Sequence, residues 1–398
     1  MRMRRLKRKT KFEPVNKIFP TITIVGLIGL AANAQNQGFT RGQLAVLRAG
    51  DGVLNLHLKQ APIFVDQFYP DAMNSAPSFT VAIPTTGSNA LFFNGHAATE
   101  GNLTRSADHS LLAFAGYTGG LLKTKGTPSQ LDIPRGFGTI DAAGNFNLVY
   151  GSTNWYGEAN PRGVISDGTN NFWGCGNVNG VMYYRPATEP AALSGLANTR
   201  AVNIINNTLY ASINGADALS ADMQPGIYSF IQKDNSPFPL PNNPGAGAHL
   251  VVPTVKPHTS IVEFDLNPAG TIAYVSDTIT GVQKYVQTNG GWQFAYNFAI
   301  PQVIPKELNH LNGCFGLVVD FSGAAPVIYA TTMEGYGSMN SNRVVRIVDT
   351  DANAAVTTIA QANSTNIVFR GIAFTPEGHS RMTANDGEVK IAATGGAQ

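Results

Sequence analysis

The sequence predicts an all-β protein, a β-propeller of six blades with four antiparallel strands each. Three observations predict it. Short segments rich in β-branched and aromatic residues alternate with turn formers along most of the chain. The unit they form recurs every 40 to 60 residues or so, and strands left over at the two ends of the chain complete one another.

The unit is clearest at residues 271–276 (TIAYVS), 281–286 (GVQKYV) and 292–298 (WQFAYNF), separated by turns at 277–280 and 289–291. Placing 261–266 (IVEFDL) in front gives a four-stranded meander. Its third strand recurs as Gly180-Val181-Met182-Tyr183-Tyr184, Gly226-Ile227-Tyr228-Ser229-Phe230 and Gly281-Val282-Gln283-Lys284-Tyr285, at intervals of 46 and 55 residues. A first strand recurs around Leu103, Val164, Val202, Val262, Leu317 and Ile372. Five complete units therefore begin near residues 101, 161, 200, 260 and 315. The sixth first strand, 369–374 (FRGIAF), has no partners after it, whereas 44–48, 63–68 and 79–83 have no first strand. Joining the two sets closes a sixth blade and removes the exposed sheet edges. Seven blades remain open if 387–394 adds a strand or the 61 residues from Leu103 to Val164 hide a unit.

Composition agrees. Charged residues are 13% of the 398, and 42 Gly with 23 Pro mark a loop-rich globular chain rather than a coiled coil, a helical bundle or a charge-rich disordered protein. Residues 1–34 read as a secretory signal: Arg2, Arg4, Arg5, Lys7, Arg8, Lys9, Lys11 and Lys17, an apolar run from Ile18 to Leu30, then Ala32-Asn33-Ala34. That run is 13 residues long, against roughly 20 for a bilayer-spanning helix. The expectation is a secreted protein, periplasmic or extracellular, whose mature part is a single domain over 35–398 that leaves the membrane once the signal is cut. The whole chain carries 27 basic and 25 acidic side chains. Without the leader's eight bases and Glu13 it carries 19 and 24, so the mature charge is negative and nothing draws it to nucleic acid. Cys175 and Cys314 fall three blades apart, too far to bridge, so two free thiols and a monomer are expected.

The runs Asn160-Pro161-Arg162-Gly163-Val164-Ile165-Ser166-Asp167-Gly168 with Phe172-Trp173-Gly174, Asn198-Thr199-Arg200-Ala201-Val202-Asn203-Ile204, and Phe369-Arg370-Gly371-Ile372-Ala373-Phe374 resemble a group of secreted bacterial β-propellers without an established activity. The resemblance lies in the structural repeats. It implies fold and export, and no chemistry.

Turns between first and second and between third and fourth strands are short, at 166–168, 206–207, 267–270 and 289–291. Connections on the opposite face are longer, such as 85–99, 152–160, 213–225 and 333–341. Recognition usually resides in long loops on a rigid scaffold, so a ligand is expected on that face, over the central channel. Residues entering the first strands should line its mouth: Glu100, Arg162, Arg200, His258, Asn312 with His310 nearby, and Arg370. Three arginines converging on one axis suit the anionic groups of an acidic glycan or a surface protein. Trp155, Tyr156 and Tyr336 offer stacking surfaces for sugar rings. The structural use of the same residues stands beside this one: arginines at inner strand ends donate to carbonyls of the next blade, and loop aromatics pack.

Catalytic signatures are thin. There is no G-x-S-x-G, H-E-x-x-H or P-loop, and no cofactor or metal motif. Asp349-Thr350-Asp351 starts like a calcium loop, but Ala354 stands where Gly is needed, so it reads as a turn. The alternative to a recognition module is a lyase or hydrolase acting on an acidic polysaccharide or a lactone, with His258, His310 and Glu100 as acid and base.

Overall fold

The computed structural model describes residues 38–56, 60–121, 127–214, 224–234, 240–254, 260–301, 313–334, 342–362 and 364–378. The expected signal segment and the 387–394 stretch lie outside these residues. Six antiparallel sheets form a ring, a six-bladed propeller. Among the described residues the only helix is a 3-10 turn at Pro128–Gln130, and no helix is long and apolar enough to cross a membrane.

Blade one is made by the two ends of the chain. Its innermost strand is Val368–Phe374, followed outward by Leu44–Ala49, Ile63–Phe68 and Phe79–Ala82. Val46 faces Ile372, the closing register the leftover strands predict. Blade three runs Pro161–Ser166, Phe172–Gly176, Val181–Tyr184 and Ala191–Ala192. Blade four is Thr199–Ile205, Thr208–Ile213, Gly226–Ile231 and Gly247–Pro253. Blade five is Ile261–Leu266, Ile272–Asp277, Gly281–Thr288 and Gly291–Phe298. Blade six is Cys314–Asp320, Val327–Thr332, Arg343–Val348 and Val356–Gln361.

Blade two departs from the expected pattern. Thr104–Arg105, Leu111–Thr118, Arg135–Asp141 and Phe146–Ser152 supply its four strands, but the first is only two residues long. Leu91–Asn94 pairs with the remaining end of Leu111–Thr118, at Leu91–Thr118 and Phe92–Tyr117, and carries Gln60–Ala61 on its other side. The sequence expectation of a plain loop over 85–99 thus misses a fully buried strand, LFFN, which covers backbone that a short first strand would leave unpaired.

Every seam between blades holds one hydrophobic cluster. Alternating residues of one strand serve different seams: Ala45 and Leu47 pack with Leu112 and Phe114 of blade two, whereas Leu44 and Val46 pack with Tyr329 and Val344 of blade six. Blades two and three meet at Phe137 and Val164, three and four at Trp173 and Leu209, four and five at Ile227 and Val275, five and six at Tyr274 and Ile328. Both faces of each sheet are therefore apolar, which explains strands that read as continuous hydrophobic runs. Cys175 and Cys314 are free and buried, in blades three and six.

A second device joins the blades. In blades three to six the first strand bulges before it pairs with the second, between Pro161 and Gly163, Thr199 and Val202, Ile261 and Phe264, and Cys314 and Leu317. The bulge frees an N–H and turns a carbonyl toward the preceding blade. Ser212 Oγ accepts from Ala201 N–H and donates to Val262 O of the next blade. Ser276 repeats this with Glu263 N–H and Phe315 O, and Thr331 with Gly316 N–H and Arg370 O. Cys175 Sγ stands at the same place, 3.4 Å from Arg200 O.

Candidate functional site

The bulge decides what the predicted arginines do. Arg162, Arg200 and Arg370 are bulge residues on three inner strands, each nearly buried, at 5%, 4% and 4% exposure. Arg162 donates through Nη1 to Asn198 Oδ1 (2.7 Å) and Thr199 O (2.8 Å) in blade four. Arg370 donates to Glu100 O (2.9 Å), Asn94 O (3.0 Å) and Gly95 O (3.1 Å), and lies 5.5 Å from the Phe93 ring centre. The structural use prevails for Arg162 and Arg370: they donate to carbonyl oxygens of the neighbouring blade.

Glu100 is fully buried. It accepts from Tyr117 Oη (2.6 Å), the Asn160 side-chain amide and Asn94 N–H (3.3 Å). Burial raises its pKa, and these donors with the nearby Arg370 partly oppose that. Trp155 and Tyr156 correct the expectation of stacking surfaces, because both are fully buried. Trp155 lies against Phe137 and over Gly174, where a Cβ would come 2.2 Å from the indole. Tyr156, with φ of 49°, packs on Gly176 and donates to Gly180 O (2.9 Å). His258, His310, Asn312 and Tyr336 lie outside the described residues, so the proposed convergence of two histidines on Glu100 does too. The acidic turn holds as expected: Asp351 caps it by accepting from Asn353 N–H (2.7 Å).

Among the described residues the axial cavity opens at the other end of the ring, where the inner strands finish and the short turns begin. It measures about 280 Å³. Five of the six inner strands line it, through Leu103 to Arg105, Asn203 to Ile205, Glu263 and Asp265, Leu317 to Val319, and Ile372 to Phe374. His109 stands at the rim. The chain's last described residues reach that rim: Glu377 N–H donates to His109 O (2.8 Å), and its carboxylate lies 3.1 Å from Arg41, 3.4 Å from Arg105 and 3.9 Å from His109 Nδ1.

Two acids from one strand dominate the wall. Asp265 keeps part of its surface open and accepts from Leu266 N–H (2.9 Å) and Val319 N–H (3.0 Å). Burial outweighs those bonds and the nearby Arg105, and lifts its pKa to about 7. Glu263 is 3% exposed, and its Oε2 has no hydrogen-bond partner among the described residues. Burial first, then the Asp265 charge, pushes its pKa well above the carboxylate range. Arg105 lies 5.6 Å from the Phe374 ring centre, and burial pulls its pKa below the usual arginine value. Burial and Arg105 likewise lower that of His109. No group of three or more metal-ligating side chains occurs among the described residues.

Sequence reasoning missed this acid pair, although a signal existed. Aligned on the bulge, Arg162-Gly163, Arg200-Ala201 and Arg370-Gly371 match Val262-Glu263. A charged residue therefore stands where those three blades carry Gly or Ala.

No protein-family profile matches the chain, and no curated protein matches it. Solved structures to which it is similar include two candidate 6-phosphogluconolactonases. That of Bacteroides uniformis has 13% identity and a TM-score of 0.45, over 81% of this chain and 83% of that one. That of Bacteroides fragilis has 14% and 0.44, over 82% and 83%. A hypothetical selenium-binding protein of Sulfolobus tokodaii has 10% and 0.43, over 85% and 94%. Likeness at this level says nothing of ligand or reaction.

Proposed function

We propose that the protein is an exported recognition propeller, akin to secreted bacterial propellers, that holds a small polar ligand in the axial cavity at the short-turn end. The supporting observation is the convergence of five inner strands on one polar cavity of about 280 Å³, close to the lower size of small-molecule sites. The expected long-loop site loses its support where it can be followed, since Arg162, Arg370, Glu100, Trp155 and Tyr156 are engaged within the ring. An acidic glycan fits this cavity poorly because Glu263 and Asp265 form its wall. The test is a thermal-shift screen of the purified chain against neutral, acidic and amino sugars. At least one should raise Tm, and Asn203→Trp, which fills the cavity, should remove the effect. Hits confined to compounds still bound by Asn203→Trp would refute the reading.

Hydrolysis of a lactone or an acidic polysaccharide is the second reading. One feature favours it: Asp265 lines the cavity, and burial pushes its pKa up to about 7, the range a general base needs. Product release abolished by Asp265→Asn would support an enzyme over a binder.

A further inference from the structure

Glu263 sets a physical problem that the fold does not solve. An ionised carboxylate out of water costs several kcal/mol unless it is paired, and natural structures rarely leave a buried oxygen without a donor. Glu263 Oε2 has none among the described residues, at 3% exposure, and Glu263 belongs to the lining of the axial cavity. The position itself gives no packing reason for a long acid. The equivalent residues Gly163, Gly316 and Gly371 leave little space: added Cβ atoms would meet Asn102 Cβ at 3.0 Å, Arg370 O at 2.6 Å and Leu103 N at 2.2 Å. An acid placed where three blades carry glycine and blade four carries Ala201 marks an asymmetry in an otherwise repetitive ring.

The neighbouring charges point one way. Asp265 lies on the same strand within electrostatic reach, and its hydrogen-bond partners among the described residues are the backbone N–H groups of Leu266 and Val319. Arg105, whose charge acts on Asp265, is engaged with Glu377 at the rim. Cys175, whose thiol burial keeps protonated, and Arg162, bound to blade four, complete the ionisable surroundings toward blade three. His109 at the rim favours its neutral form. Two acids thus face the cavity with no ion pair among the described residues.

We propose that the axial cavity binds a compact organic cation, an ammonium group carried on a hydroxylated molecule of monosaccharide size, with the ammonium on Glu263 and Asp265. This rests on the cavity being the ligand site. The volume, room for on the order of nine waters at about 30 Å³ each, suits one such molecule. A calcium ion, which takes 6 to 8 oxygens within about 2.6 Å, finds only two carboxyls here and far more space than it fills. An ammonium supplies the missing donor to Glu263, and its charge draws protons off the acids as it binds.

Isothermal titration of the full chain with glucosamine, glucose, N-acetylglucosamine and calcium chloride tests this at pH 6.5. Glucosamine should bind at least tenfold more tightly than either neutral sugar. Its measured enthalpy should change between phosphate and Tris buffers, showing proton release. Glu263→Gln, which keeps the shape, should reduce the preference to less than twofold and abolish the buffer dependence, and Asp265→Asn should weaken both. Equal binding of the three sugars, binding of calcium alone, or glucosamine binding unchanged in Glu263→Gln overturns the proposal. If neutral sugars bind and Asn203→Trp removes that binding, the cavity reading survives while the cation is refuted. If no probe binds, the cation is refuted and the broader thermal-shift screen decides on the cavity.

Discussion

Burial acts on Glu263 and Asp265 against their charged forms, so both hold protons more tightly folded than unfolded. An acid with a raised folded pKa favours folding at low pH. Its contribution is complete below about pH 4 and is lost as pH rises through the folded value, about 7 for Asp265. Tm should therefore fall from pH 5 to pH 8, and Glu263→Gln should be the more stable protein at pH 8, by about 1–3 kcal/mol. Denaturant titrations at the two pH values check this; a wild type more stable than the variant at pH 8 would show that Glu263 is paired. Single residues were only partly legible in the sequence. It placed Arg162, Arg200 and Arg370 on inner strands but could not show that the guanidinium groups of Arg162 and Arg370 turn sideways into the next blade. Trp155 and Tyr156 read as exposed because loop residues generally are. Their cover depends on Gly174 and Gly176, which make room from another strand.

Strands and tight turns were far more legible, because β-branched runs broken by Asn, Asp and Gly carry their own local signal. The bulges carry none, and they give Ser212, Ser276 and Thr331 a job invisible from spacing: each hydroxyl accepts the freed N–H of its own blade and donates to a carbonyl of the next. Ser276→Ala leaves Glu263 N–H and Phe315 O buried without that partner and should cost about 1–3 kcal/mol. Cys175→Ser puts a better donor opposite Arg200 O and should cost less than about 1 kcal/mol. Urea unfolding of the two variants separates them. Comparable losses would mean that the hydroxyl link contributes little beyond packing. The strand Leu91–Asn94 escaped notice for a related reason. Its pairing is dictated by a first strand of blade two that stops short, which only the assembled sheet reveals.

At the scale of the ring, six seams each need apolar residues on both sides, so the leftover strands at the chain ends could only complete one another. That necessity made closure readable before any coordinates. Deleting the chain after residue 362 removes Val368–Phe374, exposing Leu44 and Val46 and opening the edge of Leu44–Ala49. The truncated protein should aggregate or unfold without a cooperative transition; a sharp transition at the wild-type Tm would mean that closure adds nothing. Loop length favours one face of the ring for a ligand, whereas the inner strands form their cavity at the other, a feature that only the assembled ring reveals. The direct measurement is a crystal structure of the chain soaked with glucosamine. The account predicts the sugar between Asn203 and Asp265, its ammonium against Glu263. Electron density for it only at the long-loop end, on the side of Arg162 and Arg370, would contradict the account.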